Sequence, residues 1–166
     1  MKKLIFLVLL LTIFSCGTKT NNPISDTEKE KIQGEVKEVA NAFFEACDQV
    51  NFDKAIEPFY DSPDFVYTYN GSILSYKDCV DIFKPSFGTQ INQKNTILDE
   101  KYAFLDNSTV LYTANFKIIS NFKDCHSTLA DPAALLLIFK KIDDKWRIIY
   151  GAESTVEKIL SSESSK

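Results

Sequence analysis

Two strand-like runs joined by an Asp-rich turn, Ala133 to Ser154, constrain this chain more than any other stretch. Leu135 to Phe139 is a continuous apolar run, and Trp146, Ile148, Ile149 and Tyr150 repeat it after Ile142-Asp143-Asp144-Lys145. A strand with one wet face alternates, whereas a strand covered on both faces does not. The polar link is turn-forming. The pair reads as the central hairpin of a sheet, covered on one face by helices and on the other by a candidate partner.

The second run carries a resemblance. Trp146-Arg147-Ile148-Ile149, with Ser154 eight residues after the Trp, resembles the closing strand of the SnoaL-like, nuclear transport factor 2-like superfamily. The order of elements fits that family over residues 26–154. Many relatives carry histidines four and six residues after the Trp, where this chain has Tyr150 and Ala152. The resemblance implies an α+β fold: a cone-shaped (cystatin-like), curved antiparallel sheet of five or six strands, with three helices from the N-terminal half packed on it.

Met1 to Cys16 reads as a leader: Lys2 and Lys3 precede an apolar segment, Leu4 to Phe14, too short for a membrane span. It ends in Ile13-Phe14-Ser15-Cys16-Gly17, which resembles a bacterial lipoprotein signal. The resemblance implies that Cys16 is lipidated and becomes the mature N-terminus. The expected address is the cell envelope, lipid-anchored at the periplasmic face of the outer membrane. Residues 17–25 are a polar tether. The domain follows over 26–154, and 155–166 is expected to add a short helical turn, from Ser154-x-x-Glu157, and a frayed tail.

Of 19 Lys and Arg, two lie in the leader. The other 17 face 23 acidic residues, a formal charge of −6. An acidic domain without a basic stripe has no electrostatic reason to bind nucleic acid. Beyond Cys16 three cysteines remain, an odd number that implies no complete disulfide framework. Cys47 lies on an apolar helix face, and Cys79 with Cys125 is the pair that an oxidising periplasm could join.

In chain order, Thr27-x-x-Glu30 is a capping box before an amphipathic helix bearing Ile32, Val36, Val39, Phe43 and Cys47. A short helix ends near Pro58. Phe65 to Tyr69, the Asn70-Gly71 turn and Ser72 to Leu74 form a hairpin. Ser75-x-x-Asp78 caps a third helix, expected to close at Pro85. Long strands follow, with a turn at Asn121 to Asp124 and a break at Asp131-Pro132.

His126 is the only histidine, so no multi-histidine metal site can form. Enzymes of the resembled superfamily, steroid isomerases and polyketide cyclases, place a carboxylate inside the apolar cone as a base. Among Asp48, Asp64, Asp124 and Glu153, only Glu153 sits beside the apolar closing strand, and it is the weak catalytic candidate. Phe43, Tyr67, Tyr69, Tyr112, Phe116 and Trp146 are the candidate lining of a concave pocket. No glycine-rich phosphate loop and no Gly-x-Ser-x-Gly or His-Glu-x-x-His motif occurs, and no cofactor is expected. The reading is a membrane-anchored domain that binds a small apolar or aromatic ligand without catalysis. An isomerase or cyclase-type enzyme and a homodimerising interaction module are the alternatives.

Overall fold

The computed structural model describes residues 23–160. The leader with Cys16, tether residues 17–22 and tail residues 161–166 lie outside the described residues. Helix α1 spans Asp26–Asp48, α2 spans Phe52–Ile56 and α3 spans Tyr76–Thr89. The strands are β1 (Val66–Tyr69), β2 (Ser72–Leu74), β3 (Gln90–Asp106), β4 (Thr109–Phe122), β5 (Ser127–Ile142) and β6 (Lys145–Leu160). They form one curved, unclosed sheet in the order β2-β1-β6-β5-β4-β3, so the β5–β6 hairpin is central.

The sheet is mixed rather than wholly antiparallel. β1 runs parallel to β6, pairing Tyr67 with Gly151 and Tyr69 with Glu153. The two strands lie far apart in sequence, so their pairing is free of the antiparallel constraint that a short hairpin imposes. The other neighbours are antiparallel. Asp143 and Asp144 both take positive φ, 49° and 60°, the backbone a tight two-residue hairpin needs.

α1 packs its buried stripe, Ile32, Val36, Ala40, Phe44 and Cys47, across the concave face. Its N-cap is Ser25, two residues before the expected Thr27, and the Ser25 hydroxyl accepts from Glu28 N at 3.3 Å. The Ser75–Asp78 capping box forms as expected. α3 does not stop at Pro85. It continues to Thr89, where Phe87 packs edge-on against Phe52. Tertiary contact of those rings offsets the backbone bond that proline cannot donate.

β5 also differs from expectation. Instead of breaking at Asp131-Pro132 it runs through with a bulge between Ala130 and Ala133. Its inward residues, Ala133, Leu135, Leu137 and Phe139, are buried, while Leu136 and Ile138 on the convex face are half-buried. The apolar run therefore serves both faces of a central strand. Thr155 to Leu160 is not helical: it extends β6 and pairs with β5 down to Ser127. Backbone pairing along the edge of β5 satisfies more groups than a capping box at Ser154 could. Val36, Val110, Leu137, Phe139 and Ile148 are fully buried and form the centre of the core between α1 and the sheet.

Candidate functional site

The concave face encloses two chambers that share Cys47, Phe83 and Phe87 in their walls. The inner chamber, 70 Å³, is walled by rings: Phe43 and Phe52 from the first two helices, Phe59, and Tyr67 from β1. The rings meet edge to face, with Phe52 5.6 Å from Phe87 and Tyr67 6.0 Å from Phe83. The outer chamber, 250 Å³, is walled by Tyr69, Gln90, Ser120, Thr128, Glu153 and Thr155 among others. Together they are near the lower end of the ~300–1,000 Å³ of small-molecule sites.

Glu153 in the outer wall and Tyr67 in the inner wall link the two. Glu153 follows Gly151 at the two-residue period of β6, so both point to the concave side. The Tyr67 hydroxyl donates to Glu153 Oε2 at 2.8 Å, and no other hydrogen bond or ion pair reaches that carboxylate among the described residues. Burial holds the Glu153 carboxyl above its usual range, with the Tyr67 bond acting the other way. The Tyr67 hydroxyl is pushed up by burial and then by the neighbouring carboxylate. The Cys47 thiol is pushed up by burial, with Glu153 and Asp48 adding to it. Both groups stay protonated at neutral pH, so Cys47 is no activated nucleophile.

The sheet carries the six candidate lining residues to different places. Phe43 and Tyr67 wall the inner chamber, and Tyr69 walls the outer one. Tyr112 is 1% exposed, packs between Tyr102 and Phe139, and donates to Glu100 at 3.3 Å. Phe116 packs edge-on against Phe44 in the core. Trp146 lies beyond Phe59, over an open cleft where its indole N–H donates to Glu35 at 2.7 Å. The other carboxylates are occupied or outside. Asp48 accepts from the Asn95 backbone and side chain, Asp64 is exposed in a loop, and Asp124 pairs with His126.

His126 stacks on Phe122 at the β4–β5 hairpin tip, 4.3 Å between ring centres, and Phe122 itself faces the outer chamber. Tyr150 pairs with Val66 on the opposite face of the sheet, its hydroxyl 3.4 Å from Thr68 Oγ1. Cys47, Cys79 and Cys125 are free thiols, the first two buried and the third exposed.

Several wall residues escape a reading of the sequence. Thr155 and Glu157 share the inward face of β6 with Glu153, a period-two signal masked by the capping-box match at Ser154. Gln90 and Gln93 open β3, where the helix-to-strand boundary leaves no periodic cue.

No protein-family model matches the sequence, and no curated protein does. Solved structures do match in three dimensions. A nuclear transport factor 2-like superfamily protein from Salmonella enterica superposes with a TM-score of 0.65 at 12% identity, over 83% of this chain and 98% of that one. This is the nuclear transport factor 2-like fold. Hexachlorocyclohexane dehydrochlorinase LinA-type3 from Novosphingobium barchaimii shares it, with a TM-score of 0.67, 12% identity and coverage of 82% and 95%. So does a protein of unknown function from Shewanella oneidensis, at 0.58 and 15% identity over 74% and 98%. The fold thus hosts an enzyme and a protein with no assigned role, and it fixes neither for this chain.

Proposed function

We propose that this chain is a lipid-anchored protein whose nuclear transport factor 2-like domain binds a small, largely apolar or aromatic molecule in its concave cavity, with no catalysis of its own. The observation that carries this is the ring-walled inner chamber adjoining, across Cys47, Phe83 and Phe87, a polar outer one. An apolar chamber gives affinity through area removed from water, and a few polar groups orient the ligand. The test is native mass spectrometry of the chain after exposure to cell-envelope extract. A discrete added mass is expected, and a clean unliganded mass would overturn the binding role.

Glu153 supports a second reading, an isomerase- or cyclase-type enzyme. A half-buried carboxylate whose proton affinity is raised by burial, with one phenolic donor, has the character of a general base. Glu153→Gln separates the two: loss of turnover on a converted ligand would establish the enzyme, and retained binding without turnover in the wild type would establish the binder.

The anchor rests on Ile13-Phe14-Ser15-Cys16. No helix among the described residues is long and apolar enough to cross a membrane. Expression in a bacterium should give an N-terminal Cys16 carrying diacylglycerol and acyl mass, found with outer membranes and facing the periplasm. Cys16→Ser should release the protein in soluble form, and an unmodified residue 16 would refute the anchor. On the convex face, Leu111, Leu136, Ile138 and Ile149 are half-buried and form the proposed homodimer surface. Light scattering of Leu136→Lys against wild type tests it, with loss of a dimer expected.

A further inference from the structure

The outer chamber is rich in acceptors and poor in charge to match them. Its walls hold no Lys, Arg or His. Glu153 lies inside, and Glu157, four residues along β6, is exposed at the mouth. The side-chain oxygen of Gln90, on a wall residue, is buried without a hydrogen-bond partner among the described residues. Ser120 and Thr128, each 6% exposed, add hydroxyls that can donate or accept. The inner chamber, by contrast, presents almost nothing but carbon and sulfur.

This deepens the binding role proposed above and rests on it. We infer that the ligand is an amphipathic amine, its apolar group among Phe43, Phe52, Phe59 and Phe87 and its protonated nitrogen beside Glu153. An ammonium group is all donor, so it answers the carboxylate oxygen that Tyr67 does not hold. A carboxylate or phosphate ligand would meet Glu153 and Glu157 with like charge and no cation in the chamber wall. A neutral alcohol would satisfy one acceptor and leave Glu153 without a counter-charge. Tyr67, Tyr69 and Cys47, the groups near that carboxylate, bring no positive charge either. Its raised proton affinity agrees with a site that has an unmet need for a cation. Glu157 at the entrance focuses the same negative field outward and favours cation entry.

Three single-ring probes of one shape separate the possibilities: 2-phenylethylamine, 2-phenylethanol and phenylacetate, titrated calorimetrically into the full chain at neutral pH. The amine should bind about tenfold or more tightly than the alcohol, with the acid weakest. Glu153→Gln, whose amide oxygen still accepts from Tyr67, should remove the amine's advantage over the alcohol. Equal binding of amine and alcohol, or tighter binding of the acid, would overturn the amine assignment and leave the cavity role standing. Binding of none of the three would overturn both.

Discussion

Gly151 leaves the space that the ring of Tyr67 fills. A Cβ built on Gly151 would lie 2.3 Å from Tyr67 Cδ2 and 3.3 Å from a Leu137 methyl. The two residues are register partners on β6 and β1, so the missing side chain lets the ring lie flat across the neighbouring strand. From there its hydroxyl reaches Glu153, two residues along the same face.

Gly151→Ala should therefore act on the site through Tyr67. The added methyl forces the ring aside, and overpacking of this kind costs about 1–3 kcal/mol. Urea denaturation should show that loss, and Tyr67→Leu in the same chain should recover part of it. A Gly151→Ala protein as stable as wild type would mean that the ring moves freely and does not position Glu153.

Glu153 gives a pH signature of known sign. Its carboxyl holds its proton more tightly in the folded state than at the ordinary value of 4.5. The folded state then binds more protons than the unfolded chain between the two values. The stability it contributes is full below 4.5 and is lost as pH rises through the folded value. Glu153→Gln cannot ionise, so its stability relative to wild type should grow across that interval. Parallel denaturation curves for the two proteins from pH 4 upward, with no widening gap, would show that Glu153 is solvated (the range is set by the ordinary carboxylate value, about 4).

How far the sequence reached follows from which signals were periodic. The β5–β6 hairpin, the three helices and the Ser75 cap are local patterns, and each formed, although α1 is capped at Ser25 rather than Thr27 and α3 runs past Pro85 to Thr89. The parallel pairing of β1 with β6 is not local, since nothing in either strand encodes a partner so distant in sequence. Thr155 to Leu160 misleads because a capping box is cheap in sequence, while the unpaired edge of β5 that captures it is visible only in the folded sheet. The site divides in the same way. Glu153 was legible as a carboxylate beside an apolar strand, and Tyr67 as a ring. Their hydrogen bond depends on the glycine between two strands and could not be read.

Trp146 offers an optical probe at the other end of the cone. Its buried indole N–H and the Lys141 ammonium, at 3.0 Å, both donate to Glu35 Oε2. Those two bonds, Trp146 first, hold the Glu35 carboxyl below its usual range. Its stabilising effect is therefore present above 4.5 and lost as pH falls through the lower folded value. Glu35→Ala removes the acceptor of an indole N–H that borders an open cleft, so the loss should fall below the range of about 1–3 kcal/mol for a fully stranded donor. Because Trp146 is the only tryptophan, its emission should shift in Glu35→Ala and in wild type at acid pH alike. An emission spectrum insensitive to both changes would show that the bond is not held in solution.

Asp48 fixes the end of α1 to β3, and through it the position of Cys47 in the chamber wall. Its Oδ1 accepts from Asn95 N at 2.6 Å and from Asn95 Nδ2 at 2.8 Å, while Oδ2 accepts from Lys94 at 2.9 Å. Asn95 is only 9% exposed, so its two donors have little access to water once the carboxylate is gone. Asp48→Ala should cost about 1–3 kcal/mol, the range for stranded buried donors. Asp48→Asn keeps an acceptor oxygen for Asn95 and loses only the exposed Lys94 pair, whose worth is small. The order of stability should then be wild type, Asp48→Asn, Asp48→Ala, with the second much nearer the first. Equal loss in both variants would place the energy in the charge on Asp48 rather than in its bonds to Asn95.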